Sequence, residues 1–164
     1  MKSSTFRFLE SYDQLEEIKD SGKMIVTVCG TYKCPERLLQ LNFKRVVSKF
    51  EDLYECKIGA FVVYEGGNVE SYALKYATNE GMPVFTVKTH WGKLTKEQAV
   101  YARTSEMVSV SDAAIVFWDF KSKESKLITS FFRKSNKPIL TCGISESPDQ
   151  DSISDLDLID LDRY

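Results

Sequence analysis

Five apolar runs recur along the chain, and a stretch of helical spacing separates each from the next. The runs are Met24 to Cys29, Ile58 to Tyr64, Pro83 to Val87, Ala113 to Trp118 and Pro138 to Cys142. None alternates polar with apolar residues. Continuous apolar runs of this length belong to strands buried on both faces, as in parallel sheets. Between them lie apolar stripes at helical spacing: Leu39, Phe43, Val46, Val47 and Phe50, then Val69, Tyr72, Ala73, Tyr76 and Ala77. A capping box, Thr95-x-x-Gln98, opens a third stretch reaching about Val110, and Leu127, Ile128, Phe131 and Phe132 mark a fourth. Strand and helix in strict alternation predict an α/β protein. The expected fold is a Rossmann-like parallel five-stranded sheet flanked by helices, with right-handed crossovers. A second capping box, Ser11-x-x-Gln14, with Leu15 and Ile18 on one face, adds an extra N-terminal helix ending near Gly22. Residues 1–10 read as a flexible or loosely docked start.

The 164 residues are one domain by size. We place that domain at residues 1–145, with its core at 24–142, followed by an acidic C-terminal tail, 146–164. Seven of the 24 acids and one of the 22 bases fall in the tail. The body is therefore basic by about +4 and the tail acidic by about −6. The tail alternates Asp with Ile and Leu and reads as a segment with at most one turn of helix. No apolar run approaches the roughly 20 residues of a membrane span, and the first residues show no apolar leader. The reading is a cytoplasmic protein without membrane contact. Cys29, Cys34, Cys56 and Cys142 form no C-x-x-C pair, and His90 is the only histidine. The expectation is therefore reduced, mostly buried thiols, no metal site and no cofactor.

In open parallel sheets, ligands bind outside the carboxyl ends of the strands, at the point where strand order reverses. That rule selects the loops Gly30–Lys33, Glu65–Glu70, Thr89–Lys93 and Asp119–Ser125. The second is the most suggestive: strand Phe61-Val62-Val63-Tyr64, turn Gly66-Gly67-Asn68, then helix. This order places backbone N–H groups and a helix N-terminus around an anion. The plain alternative is a tight turn with Asn68 as the helix N-cap. Glu70 is either a catalytic carboxylate or a partner of the helix dipole. Arg103, mid-helix beside Ala99, Val100 and Met107, either grips a phosphate or covers apolar surface with its stem. Asp119 either binds a hydroxyl or caps its loop. Lys121, Lys123 and Ser125 face a phosphate or simply line a solvated loop. His90-Trp91 stacks on a base or forms a polar rim. Cys29 and Cys34 have no base near them in sequence and are not expected to act as nucleophiles.

Taken in order, these segments resemble the SLOG superfamily, the Rossmann-like group that includes the DprA and cytokinin-activating phosphoribohydrolase proteins, and in particular its small bacterial and phage members. Val26-Thr27-Val28-Cys29-Gly30-Thr31-Tyr32 is similar to the family's first strand and loop. In the later segment Trp91, Ala99, Arg103, Met107, Asp112, Phe117, Trp118, Asp119 and Ser122 fall in register with the family pattern. The likeness spans about residues 24–142. It implies ligand binding by Gly30, Thr31, Gly66, Gly67, Asn68, Trp91, Arg103, Asp119, Ser122 and Ser125, with Glu70 as the catalytic carboxylate of an active member. It also implies a homodimer. The sequence departs from the pattern at telling places. Asn68 stands where the family has a phosphate-loop glycine, His90 where it has an aspartate, Thr104 where it has an asparagine, and Glu124 where it has a glycine. A glutamate there repels an anion.

Three readings follow. The first is a binder of a nucleotide-derived small molecule with a degenerate site, acting as a sensor or regulatory module. The second is a phosphoribohydrolase on nucleoside 5′-monophosphates, hydrolysing the N-glycosidic bond. The third is a protein-interaction module, such as a phage-encoded modulator, that contacts a host or regulatory protein through the tail 146–164. The body carries excess Lys and Arg but no DNA-reading motif, so nucleic acid is not an expected partner.

Overall fold

The structure is a computed structural model that describes residues 6–92, 94–144 and 157–160. Its helices are α1 (Tyr12–Asp20), α2 (Glu36–Tyr54), α3 (Asn68–Glu80), α4 (Lys96–Val110) and α5 (Lys123–Lys134). Its strands are β1 (Met24–Gly30), β2 (Ile58–Tyr64), β3 (Val84–Val87), β4 (Ala113–Trp118), β5 (Ile139–Gly143) and β6 (Asp157–Asp160). The sheet order is β3-β2-β1-β4-β5-β6. The first five strands are parallel, as the continuous apolar runs require, and helices flank the sheet as in Rossmann-like folds. The order reverses between β1 and β4, so the switch-point crevice lies at their carboxyl ends.

Alternate residues of each strand feed two cores. Val26, Val28, Phe61, Val63, Ile115 and Phe117 face α2 and α3. Ile25, Cys29, Ala60, Val62, Ala114 and Val116 face α1, α4 and α5. Phe43 of α2 anchors the first layer, with its ring 4.9 Å from Tyr76, 5.8 Å from Phe117 and 6.0 Å from Phe61. In the second layer Met107, Ile128 and Phe132 are fully buried. Both capping boxes form: Ser11 with Gln14, and Thr95 with Gln98. No helix among the described residues is long and apolar enough to cross a membrane.

Three details differ from the sequence reading. Of residues 1–10, expected to be flexible or loosely docked, Arg7 to Leu9 are held against β3, and residues 1–5 lie outside the described residues. Leu9 N–H donates to Val84 O at 2.7 Å, Val84 N–H donates to Arg7 O at 3.0 Å, and Leu9 is buried. These bonds satisfy backbone groups that β3, as an edge strand, would otherwise leave open. Within the tail, residues 157–160 form β6, antiparallel to β5, where at most a turn of helix was expected. Alternating Asp with Leu and Ile is a period-two strand pattern that the acidic composition obscured, and β5 offers it an unpaired edge. The rest of 146–164 lies outside the described residues. Finally, the N-cap of α3 is Gly67, not Asn68. The Asn68 amide instead reaches out of the helix to donate to Cys34 O at 3.0 Å.

Candidate functional site

The carboxyl edge of the sheet holds two buried charged groups, Glu70 and Arg103, each only 3% exposed. Glu70 belongs to the first turn of α3. Its Oε2 accepts the N–H of Gly30, the last residue of β1, at 3.1 Å. No hydrogen bond reaches Oε1. Burial pushes the Glu70 carboxyl up to about 7, against the pull of the N–H groups of Glu70 itself, Gly30 and Gly67 and of the Arg103 charge. Desolvation therefore outweighs the helix start here.

The glycine loop is shaped for contact with the chain itself. A side chain on Gly67 would place its Cβ 2.7 Å from Tyr32 O, and one on Gly30 would meet Phe117 O at 2.3 Å. Asn68 N–H, one of the free amides at the start of α3, is taken by Tyr32 O at 3.0 Å. The loops after β1 and β2 thus interlock, and Gly30 and Gly67 let them approach. Gly66 is exposed and lies over the Tyr64 ring.

Arg103 comes from α4 and reaches across to the loop after β3 and to α5. Its Nη1 donates to Thr89 Oγ1 at 3.0 Å, and its Nη2 to Glu124 Oε2 at 3.1 Å. Its Nε has no partner. The guanidinium carbon lies 3.8 Å from the centre of the Tyr64 ring, a close cation–π contact. The two ends of the ion pair differ sharply in exposure: the Arg103 side chain is 2% exposed and that of Glu124 41%. Burial drives the Cys29 thiol well up, and the Glu70 and Glu124 charges add to this while Arg103 opposes it. Burial and Glu70 lift Cys34 to about 12. Both remain thiols at neutral pH, as unactivated cysteines do.

The crevice between β1 and β4 is tied shut by short bonds. Thr31 N–H donates to Phe117 O at 2.8 Å, and Asp119 N–H donates to Thr31 Oγ1 at 3.0 Å. Asp119 Oδ1 accepts the N–H groups of Lys121 at 2.8 Å and Ser122 at 2.9 Å. Burial raises the Asp119 carboxyl, but those N–H groups and Thr31 outweigh it and hold it below the usual carboxylate range. Ser122 caps α5 and accepts the Ser125 N–H, while Ser125 itself is buried in the first turn. Phe120 sits between them in the left-handed region, at φ 64°. That conformation is costly for a bulky residue, and the ring stands exposed 4.9 Å from Trp118. Exposed Tyr32 and Trp91 stand on the loops after β1 and β3. Tyr32, Trp91 and Phe120, its aromatic rim, thus stand exposed on three loops of the same edge as the buried charges.

Of the residues singled out from sequence, Gly30, Gly67 and Glu70 make one cluster and Arg103 a second. Thr31, Asp119, Ser122 and Ser125 build the β1–β4 tie and the α5 cap. Sequence reasoning missed Tyr64 and Thr89 as partners of Arg103. Tyr64 did carry a signal, as the one polar-tipped residue ending an otherwise apolar strand. Glu124 was read as a repulsive departure; in the fold it is the anion that pairs the buried arginine.

A cleft of about 490 Å³ lies at the opposite, amino edge, lined by residues including Arg7, Lys23, Glu80 and Met82. It is remote from the buried charges, and its lining holds no buried polar group. A smaller cleft of about 170 Å³ lies beside the start of α3, between Glu36, Asn68, Ser71, Tyr72 and Lys75. The carboxyl edge, where Glu70 and Arg103 are buried, is therefore the candidate site. Among the described residues no group of His, Cys, Asp and Glu is placed to hold a metal ion. The chain matches no protein-family model, no curated protein and no solved structure.

Proposed function

We propose that this chain is a SLOG-type binding module for a nucleotide-derived anion, working as a sensor or regulatory protein rather than as an enzyme. The observation that carries the reading is Arg103. An arginine only 3% exposed, with an unpartnered Nε and an ion-pair partner whose side chain is 41% exposed, is a costly arrangement for stability alone. It suits recognition of a phosphate, which arginine grips through two N–H groups at once. The aromatic rim of Tyr32, Trp91 and Phe120 supplies faces for a base to stack on. A panel of nucleoside mono- and diphosphates and nucleotide sugars tests this by thermal shift. At least one compound raises the melting temperature of the wild type and fails to raise that of Arg103→Met. A flat response across the panel refutes the reading.

One observation favours a second reading, the phosphoribohydrolase. Glu70 titrates at about 7 and keeps an oxygen without a partner, as an active-site carboxyl often does. The same incubations decide between the two. Free base released from a nucleoside monophosphate by the wild type, and not by Glu70→Gln, makes the chain an enzyme. Binding without release leaves it a binder.

A further inference from the structure

Building on the binding reading, we infer that the anion subsite of this chain lies at Arg103, not at the glycine loop, and that Glu124 occupies it until a phosphate monoester takes the carboxylate's place. Two sets of contacts lead there.

The start of α3 is closed from within. Gly30 N–H is bonded to Glu70, Asn68 N–H to Tyr32 O, and Gly67 lies against the Tyr32 backbone. A phosphate arriving there meets a carboxyl that is 3% exposed and bonded to the Gly30 N–H. The helix N-terminus that would receive an anion is already taken up by a carboxyl group of the protein's own.

Arg103 is in the opposite condition. A guanidinium has five N–H donors. One is bonded to Thr89, one to Glu124, and the Nε–H to nothing. The Tyr64 ring closes one face. Glu124 belongs to the first turn of α5 and its side chain is 41% exposed. It can swing into water and remain favourably placed at a helix N-terminus. A phosphate monoester carries nearly two charges to the glutamate's one and offers three oxygens to the unfilled donors. The exchange therefore favours a dianionic phosphate over a carboxylate or a neutral nucleoside. Glu124 becomes the residue that sets affinity and selectivity.

The test uses the full chain, inorganic phosphate as the probe, and titration calorimetry. Wild type is compared with Glu124→Ala, Glu124→Gln and Glu70→Gln. The glutamine variant of Glu124 keeps the side chain's shape if alanine at that position unfolds the protein. Removing the competing carboxylate tightens phosphate binding by about tenfold, the scale of one charge-assisted contact, whereas Glu70→Gln leaves it unchanged. A gain from Glu70→Gln instead puts the subsite at the glycine loop and overturns the inference. If wild type binds nucleotides and neither Glu124 variant tightens phosphate, the exchange is wrong while the binding reading stands. If no variant binds phosphate and wild type binds no nucleotide, both fall.

Discussion

Glu70 makes the folded protein sensitive to pH in a range where an ordinary glutamate is silent. Its carboxyl moves from 4.5 to about 7 on folding, chiefly because burial disfavours the charge. A group raised in this way binds more protons folded than unfolded between those two values. Its stabilisation is complete below the unfolded pKa and is lost as pH rises through the folded one. At 1.36 kcal/mol per unit the full effect is about 3 kcal/mol, of which about 2.5 kcal/mol falls between pH 5 and pH 8. That is a large part of the roughly 5–15 kcal/mol by which domains are stable. The assay is urea denaturation at pH 5, 6, 7 and 8, for wild type and Glu70→Gln. The glutamine does not titrate and keeps an oxygen for the Gly30 N–H. Other groups titrate alike in both proteins, so the difference between the two curves isolates Glu70. Wild type loses about 2.5 kcal/mol relative to the variant as pH rises from 5 to 8. A difference that stays constant with pH refutes the argument, because it means Glu70 is charged at pH 5 as it would be in water.

Two further perturbations probe the loops. Gly67→Ala forces a Cβ to within 2.7 Å of Tyr32 O and destabilises by about 1–3 kcal/mol in chemical denaturation, whereas Gly92→Ala, with nothing within 4 Å of the new atom, does not. Thr31→Val removes the acceptor for Asp119 N–H, at a cost of about 1–2 kcal/mol. Because Asp119 is held below the usual range, its stabilisation is present at neutral pH and lost as pH falls through the folded value. An acid titration followed by circular dichroism shows the variant unfolding at a higher pH than wild type.

The sequence revealed the scaffold better than the site, for a reason of range. A strand such as Ala113–Trp118 announces itself in six consecutive residues, and both capping boxes lie within four. Local chemistry dictates these elements, so local reading finds them. The site is made of distant pairs. Gly30 meets Glu70 40 positions on, Thr31 meets Asp119 88 positions on, and Arg103 meets Thr89 and Glu124 at 14 and 21. Spacing in the chain carries no trace of such contacts. The carboxyl-edge rule selected loops that the fold does bring to one edge of the sheet, but not which group in each loop would face which. Tyr64 shows the limit: the strand pattern makes it a core residue, and only the sheet register sets its ring under a guanidinium.

What the fold adds is a consequence of all those pairings together. The cation at the carboxyl edge already has a protein anion, and the helix start already has a protein acceptor. On the proposed exchange, a ligand entering this site replaces a side chain rather than filling an empty cradle. The gain on binding is then the difference between two charge-assisted contacts, smaller than either alone. Selectivity grows as affinity falls, because only a ligand that outbids a carboxylate displaces one. The group displaced, Glu124, sits in the first turn of α5, beside the Asp119 turn and the strained Phe120. Exchange at Arg103 would therefore change the charge and contacts beside a residue, Phe120, that is both strained and exposed.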